Sequence, residues 1–207
     1  LIEAYTIPTP SMEKSLLVGD FLFVSKMAYG PRTPMTPISF PFVHHTLPLT
    51  TETKSYLEWI KVPYHRFPGF GHVKKNDAVV FNYPDGDTLS VKYQSNRSYY
   101  SLVREYGRKA VVNNPGKFGK IISRPPDKRE NYIKRCIATA GDTLQIINHQ
   151  VYINGKAAVN PAEMQYQYLV RTAGSQLNPR MLEQMQVNTD DVYPQGNNEY
   201  VVVLTHA

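Results

Sequence analysis

The sequence predicts a mainly β fold, on two observations. First, its 207 residues include 16 Pro, 12 Gly and 15 Tyr, a composition typical of strands and turns rather than of a helical bundle. Second, short runs of β-branched and aromatic residues alternate with turn-forming residues. Hydrophobic residues make up 42% of the chain, which is enough to bury a core. The length suits one large domain, or a core with a smaller inserted subdomain.

Four apolar or aromatic segments predict strands: residues 20–27, 78–81, 132–137 and 200–204. The second of them ends at a turn formed by residues 84–87. Residues 143–157 predict a hairpin, in which the Asn154-Gly155 pair is a strong turn signal.

Two segments predict helices. Residues 98–112 form the longer one, within a stretch, 94–130, that we interpret as an insertion. The Asn178-Pro179 pair predicts the start of a short helix, with Asn as its cap and Pro at its first position. One face of this short helix is apolar, and we interpret it as core packing: Met181, Leu182 and Met185.

Positive charge is concentrated in one part of the chain. Residues 61–135 hold 16 Lys and Arg against 6 Asp and Glu, a net charge of +10, and the remainder carries −4. The plain interpretation is a solvated surface, and the alternative is a face held against anionic phosphates of lipid or nucleic acid. Residues 38–70 mix aromatic residues with prolines, so they either fill a core or lie at a bilayer interface.

The sequence carries no signature of a membrane span, a signal peptide or a metal site. It has no run of 18 apolar residues, and Leu1 leads directly into what reads as mid-protein sequence, so we expect that a preceding segment is missing. The single cysteine, Cys136, cannot form a disulfide within the chain. The pair His44-His45 has no Cys, Asp or Glu close by in sequence, so we expect no metal and no cofactor.

A serine near the start of the chain is a candidate nucleophile. Ser11 follows Pro8 and Pro10, and each proline fixes its own φ and pushes the preceding residue to extended backbone. The backbone that reaches Ser11 is therefore stiff, and a fixed orientation supplies much of the rate of a nucleophilic attack. Proline-flanked serines are also common in ordinary loops, so this feature alone does not identify a catalytic residue.

The candidate base for that serine is Lys134. None of the six histidines lies in a recognisable triad motif, although a triad formed only in space stays open. Strand alternation puts Lys134 on one face with Tyr132 and Cys136, where desolvation would lower its pKa. A lysine that acts as a base near neutral pH needs a pKa of roughly 7–8. The plain alternative is a solvated Lys134-Arg135 pair on an edge strand.

Three sequence blocks together resemble those of bacterial type I signal peptidases, in the order that the family has them. The first runs from Ser11-Met12 through Gly19-Asp20 to Tyr29-Gly30. The second is Asn-Asp-Ala-Val-Val-Phe-Asn-Tyr-Pro at 76–84, and the third, 132–142, runs from Tyr-Ile-Lys-Arg to Gly-Asp. The sequence departs from the family pattern at Pro10 and at 13–15, where neither change touches a reacting atom, and also at Asn76, Ala138 and Ala140.

The resemblance implies a mostly antiparallel β fold, with a coiled-barrel catalytic core and a smaller inserted β-containing subdomain. Residues 1–142 would be the catalytic core, with insertions at about 36–75 and 94–130. Residues 143–207 would be the start of the smaller subdomain.

The resemblance also implies a serine-type signal peptidase, in which Ser11 is the nucleophile and Lys134 the base of an acyl-transfer reaction. The hydroxyl of Thr9 and the backbone N–H of Ser11 would hold the oxyanion. The substrate would be a secreted preprotein, cut after a small residue in an Ala-x-Ala-like pattern. Shallow apolar pockets for it would be lined by Tyr5, Ile7, Met12, Leu16, Leu22, Tyr132 and Ile133.

The implied location is the outer, periplasmic face of the bacterial inner membrane, with an anionic membrane surface as a further partner and no nucleic acid. One family block, Gly-Asp-Asn-x-x-x-Ser-x-Asp-Ser-Arg, is not found in the sequence. In the family it supports the lysine. We expect that the chain is cut short before it, which leaves open whether this polypeptide is active by itself; the alternative is a diverged or inactive relative.

Two other functions stay open. A self-cleaving repressor-type protease with a Ser/Lys pair shares the implied fold, but its DNA-binding domain and cleavable loop are not visible in the sequence. A non-catalytic module would bind peptide or nucleic acid, the latter through residues 61–135. The basic stretches there lack the regular aromatic interleaving of nucleic-acid stacking platforms.

Overall fold

The computed structural model describes residues 2–41, 43–50, 52–174 and 176–205. Contacts divide the chain into two compact units, one made of residues 1–5 and 22–139 and the other of residues 6–21 and 140–207. The predicted mainly antiparallel β fold is confirmed, and the strands of the described residues form five small sheets. The predicted domain boundary at residue 142 and the predicted bounds of the insertions stay predictions.

Among its described residues, the first unit contains six strands, although the last residue of β1 and the first of β2 fall in the second unit. The strands are β1 (Ile2–Thr6), β2 (Phe21–Ser25), β3 (Ala78–Asn82), β4 (Thr88–Ser90), β5 (Ile121–Ser123) and β6 (Asn131–Arg135). They pair as β1 with β2, β3 with β6 and β4 with β5. The three strands predicted over 20–27, 78–81 and 132–137 correspond to β2, β3 and β6, which confirms them.

Three helices follow β4: α1 (Tyr99–Tyr106), α2 (Arg108–Val112) and α3 (Pro115–Phe118). The single helix predicted over 98–112 is wrong in one respect, because Gly107, at a φ of 81°, separates α1 from α2. Ser98 begins α1, and its side-chain oxygen accepts a hydrogen bond from the backbone N–H of Ser101 at 3.1 Å. The three helices share a small core of their own: Tyr99, Leu102, Val111 and Phe118.

Between β2 and β3 the chain runs mainly as loops, joined by isolated bridges such as Arg32 to Arg66. Gly30 and Gly69 allow two of these loops to approach each other closely. A Cβ on Gly30, whose φ is +90°, would overlap the carbonyl oxygen of Phe67. Of the aromatic residues in 38–70, Tyr56 is buried, but Trp59 and Phe70 are each 86% exposed. Much of this segment therefore lies on the surface and does not fill a core.

The second unit contains the remaining elements: β7 (Leu144–Ile147), β8 (Gln150–Ile153), β9 (Lys156–Ala157), β10 (Gln165–Arg171), α4 (Pro179–Gln184), β11 (Val192–Gly196) and β12 (Glu199–Thr205). They form two sheets, in the orders β7-β8-β9 and β10-β12-β11. The predicted hairpin and terminal strand are confirmed. The predicted Asn154-Gly155 turn joins β8 to β9, and both of its residues have positive φ, as a type I′ turn requires.

The core of the second unit lies on the central strand β12, where Val202 is 2% exposed and packs in a cluster with Leu182 and Val187. The predicted start of α4 is confirmed, because the side chain of Asn178 accepts a hydrogen bond from the backbone N–H of Arg180. The expectation that Met181 and Met185 also pack in the core is wrong, since both are more than half exposed. No helix of the described residues is long and apolar enough to cross a membrane.

Candidate active site

The predicted site residues fall on two structural elements, which belong to different units. A loop in the second unit carries Ile7, Thr9, Ser11, Met12 and Leu16. Strand β6 of the first unit carries Tyr132, Ile133 and Lys134, and the same unit holds Tyr5 on β1 and Leu22 on β2.

The serine loop begins where β1 ends. Thr9 has extended backbone, with φ −137° and ψ 151°, and Pro10 occupies the first position of a 3₁₀ turn over Pro10–Met12. Ser11 is exposed on this turn, and its Oγ lies 3.5 Å from Oγ1 of Thr9. Ile7 and Met12 are buried on either side of it. The hydroxyls of Thr9 and Ser11 are therefore neighbours at the surface. The buried side chains of Ile7 and Met12 anchor the loop on either side of them.

The Gly-Asp pair of the first sequence block closes this loop. The backbone N–H of Gly19 donates to the carbonyl of Ile7 at 2.9 Å, and Ile7 in turn donates to the carbonyl of Asp20 at 3.0 Å. Gly19 adopts a φ of +93°, which favours glycine. The Asp20 carboxylate accepts from the backbone N–H of Leu17 at 2.8 Å. These contacts give Gly19 and Asp20 a structural role in closing the loop that carries Ser11.

The lysine strand lies in an antiparallel ladder with β3, which pairs Lys134 with Val79. Residues directly opposite in such a ladder project from the same face, so the Val79 side chain stands beside the lysine. Tyr132 and Cys136 lie two positions away on that face. Lys134 is half-buried, and its burial lowers the pKa of the ammonium group.

Tyr5 and Tyr132 occupy polar and aromatic surroundings within the first unit. The Tyr5 hydroxyl donates to Glu3 at 2.6 Å and accepts from the side-chain amide of Asn131 at 3.2 Å. Burial, followed by the hydrogen bond to Glu3, raises the pKa of the Tyr5 hydroxyl. The ring of Tyr132 lies 5.2 Å from that of Tyr83.

Sequence reasoning did not foresee two neighbours of the predicted site residues: Val79, which pairs with Lys134, and Asn131, whose side chain donates to the Tyr5 hydroxyl. The second sequence block contains Val79, but the pairing with Lys134 follows from strand register and has no local signal. Among the residues that the structure describes, no three His, Cys, Asp or Glu side chains lie close enough together to hold a metal ion.

The chain belongs to the family described as signal peptidase, peptidase S26, whose model matches residues 1–201. The predicted resemblance is thereby confirmed. Three curated proteins similar to the chain are each named signal peptidase I. That of Aquifex aeolicus is 28% identical over 65% of this chain and 50% of its own length. That of Pseudomonas aeruginosa is 29% identical over 58% of this chain and 37% of its own length.

The protein of Rickettsia prowazekii is 20% identical over 75% of this chain and 36% of its own length. The chain thus spans half the length, or less, of the curated relatives that it matches. No solved structure gives a significant match.

Proposed function

We propose that the protein is a membrane-associated serine endopeptidase that removes signal peptides from secreted preproteins, with Ser11 as its nucleophile and Lys134 as its base. The observation that carries this proposal is the family match, because it spans residues 1–201 and so includes both candidate residues. The similar proteins named signal peptidase I support the same class of reaction.

In the proposed reaction, the neutral amine of Lys134 takes the proton of Ser11 Oγ as that oxygen attacks the scissile carbonyl. The lysine then gives the proton to the leaving amine, and an acyl-enzyme forms. Water, deprotonated by the same amine, attacks the ester and releases the carboxylate product. Burial favours this role because it lowers the pKa of Lys134 and so increases the neutral fraction at a given pH.

The tetrahedral intermediate carries a negative oxygen, and we propose that the Thr9 hydroxyl and the Ser11 backbone N–H donate to it. The 3.5 Å distance between the two hydroxyl oxygens supports a position for Thr9 near the reacting atom. Removing one oxyanion donor typically lowers the rate by about 10²–10³-fold.

The proposed substrate is an extended peptide with small residues in an Ala-x-Ala-like pattern. It would add as a strand beside residues 6–8 and 132–133, which is a common mode of peptide recognition. Shallow apolar pockets would be lined by the residues that the resemblance implies: Tyr5, Ile7, Met12, Leu16, Leu22, Tyr132 and Ile133.

Cleavage of a preprotein by the full-length protein tests the two catalytic roles. Ser11→Ala and Lys134→Met should each lower kcat/KM by about 10³-fold or more, because the two groups act as one unit. Ser15→Ala, on the same loop, and Lys120→Met, whose side chain is 63% exposed, are matched controls that should keep the wild-type rate. Retained activity in Ser11→Ala or Lys134→Met would contradict the assignment.

We further propose that the protein acts at the outer face of the bacterial inner membrane and contacts its anionic surface. The exposed rings of Phe40, Trp59 and Phe70 and the net charge of +10 over residues 61–135 support this. Co-sedimentation with anionic and neutral liposomes tests the electrostatic part, and equal retention on both would count against it.

A further inference from the structure

An arginine in the first unit is buried without adequate compensation for its charge. Arg124 is 3% exposed, and within the described residues its Nη1 atom has no hydrogen-bond partner. The carboxylate of Glu130 lies 3.8 Å from that atom, which is beyond hydrogen-bond distance. A buried charge is costly unless it is both paired and hydrogen-bonded, so this guanidinium calls for a further partner.

Arg124 lies in the wall of an open cavity of about 350 Å³. Three other cationic side chains, Arg129, Lys54 and Lys61, line the same cavity, and two carboxylates, Glu58 and Asp87, face them. Four positive charges against two negative ones leave the wall with a net charge of +2. The cavity therefore attracts anions, and it has the volume of a small-molecule site.

Both carboxylates are already engaged by other groups. Glu58 accepts from Lys54 at 2.7 Å and lies 3.2 Å from the Lys61 ammonium. Asp87 accepts from the hydroxyls of Thr88 and Ser123 at 2.9 and 3.2 Å. Glu58 balances one of the two lysines, and Asp87, which keeps its charge, offsets one of the other three cations, so the excess of two positive charges is shared between lysine and arginine.

Two further carboxylates, Glu130 beside Arg124 and Asp127, lie nearby but do not line the cavity. One oxygen of Asp127 accepts from both the backbone N–H and the hydroxyl of Thr36, at 3.0 and 2.8 Å. On the other side, the Nε of Arg129 donates to the backbone carbonyl of Arg124 at 3.3 Å. This contact ties the Arg129 guanidinium to the main chain at Arg124.

We propose that this cavity is a binding site for a phosphate group carried by a small molecule or a lipid headgroup. Guanidinium groups match phosphate oxygens with paired donors, and the net charge of the wall balances a phosphate dianion. The volume exceeds what a phosphate group needs, and Met35, Pro125 and Pro126 give the remaining wall an apolar character that suits an organic substituent.

Calorimetric titration of the full-length protein with inorganic phosphate, against sodium chloride of equal ionic strength, tests the site. Saturable binding is expected, and Arg129→Gln should weaken it about tenfold, because it removes a charge-assisted hydrogen bond. Arg124→Lys keeps the charge but loses the guanidinium fork and should weaken binding as well. Lys109→Gln, an exposed residue of α2 outside the cavity, is the matched control and should bind as the wild type does.

Vesicles then separate the two sources of the phosphate group. A lipid headgroup is the source if the protein is retained on phosphatidic acid vesicles but not on phosphatidylcholine vesicles. In that case Arg129→Gln should lower the retention and Lys109→Gln should not. If phosphate binds saturably but the Arg129→Gln and Lys109→Gln variants are retained equally on phosphatidic acid vesicles, the source is a soluble phosphate compound. Absence of binding to both phosphate and phosphatidic acid, or unchanged phosphate affinity in Arg129→Gln and Arg124→Lys, would overturn the proposal.

Discussion

Replacing Gly30 by alanine should destabilise the first unit strongly, for two separate reasons. Gly30 has a φ of +90°, and a residue with a Cβ costs roughly 1–2 kcal/mol in left-handed backbone. The added Cβ would also overlap the carbonyl oxygen of Phe67 and lie 3.2 Å from the backbone nitrogen of Gly69. Both obstacles are backbone atoms, which cannot rotate away, and overpacking of this kind costs about 1–3 kcal/mol.

The sum is a loss of about 2–5 kcal/mol, a large part of the ~5–15 kcal/mol that stabilises a typical protein. With a urea slope of about 2 kcal/mol per molar, the unfolding midpoint measured by circular dichroism should fall by about 1–2.5 M. Gly71→Ala is the matched control, because the nearest atom to its added Cβ is 4.0 Å away. It should change the free energy of unfolding by less than about 1 kcal/mol. Equal midpoints for the two variants would refute the reasoning.

Further variants test the lysine strand and the helices. Val79→Thr should raise the pKa of Lys134 by hydrating its ammonium, and so move the pH–rate profile of preprotein cleavage upward; Val80→Thr, on the opposite face, should not. Because the folded-state pKa of Lys134 is lowered, the unfolded state holds more protons between that pKa and about 10.4, so stability should rise with pH there. Urea unfolding of Lys134→Met should lack this rise; an unchanged slope would mean that the lysine is not desolvated. Leu102→Ala should cost about 2–5 kcal/mol in the same assay, since Leu102 is fully buried, and a loss below 1 kcal/mol would contradict that packing. Ser98→Ala should cost about 1 kcal/mol through loss of the α1 cap, and an unchanged midpoint would show that the cap hydrogen bond does not contribute.

Strands were predictable where a short run of apolar residues is strong in the sequence itself. They were missed where contacts with distant residues bury polar side chains and expose apolar ones. In β1 the apolar residue Ile2 is 70% exposed, while Glu3 is half-buried and pairs with Lys26. In β1 the apolar residue is therefore outside and the charged residue inside, the reverse of the usual burial pattern, and no strand was predicted there. Strand β11 contains Pro194, which argues against a strand, but it lies at the edge of its sheet, where a missing N–H is tolerated.

The site was predictable in its parts but not in its surroundings. The prolines before Ser11 indicated a stiff approach, and Pro10 does occupy the first position of the turn. The closeness of Thr9 to Ser11 was implied by the family resemblance and has no signal in composition. The buried Arg124 and its cavity were not foreseen. A basic stretch of sequence predicts a solvated surface, and only the fold shows which of its charged side chains is buried.

The ladder between β3 and β6 brings two of the three sequence blocks together in one sheet. The register pairs Val79 with Lys134, Val80 with Ile133 and Phe81 with Tyr132, so the second block is the strand that flanks the third. A lysine on an isolated edge strand would be hydrated and keep its ordinary pKa. Burial lowers the pKa of Lys134, and the apolar strand β3 lies directly beside it in the ladder.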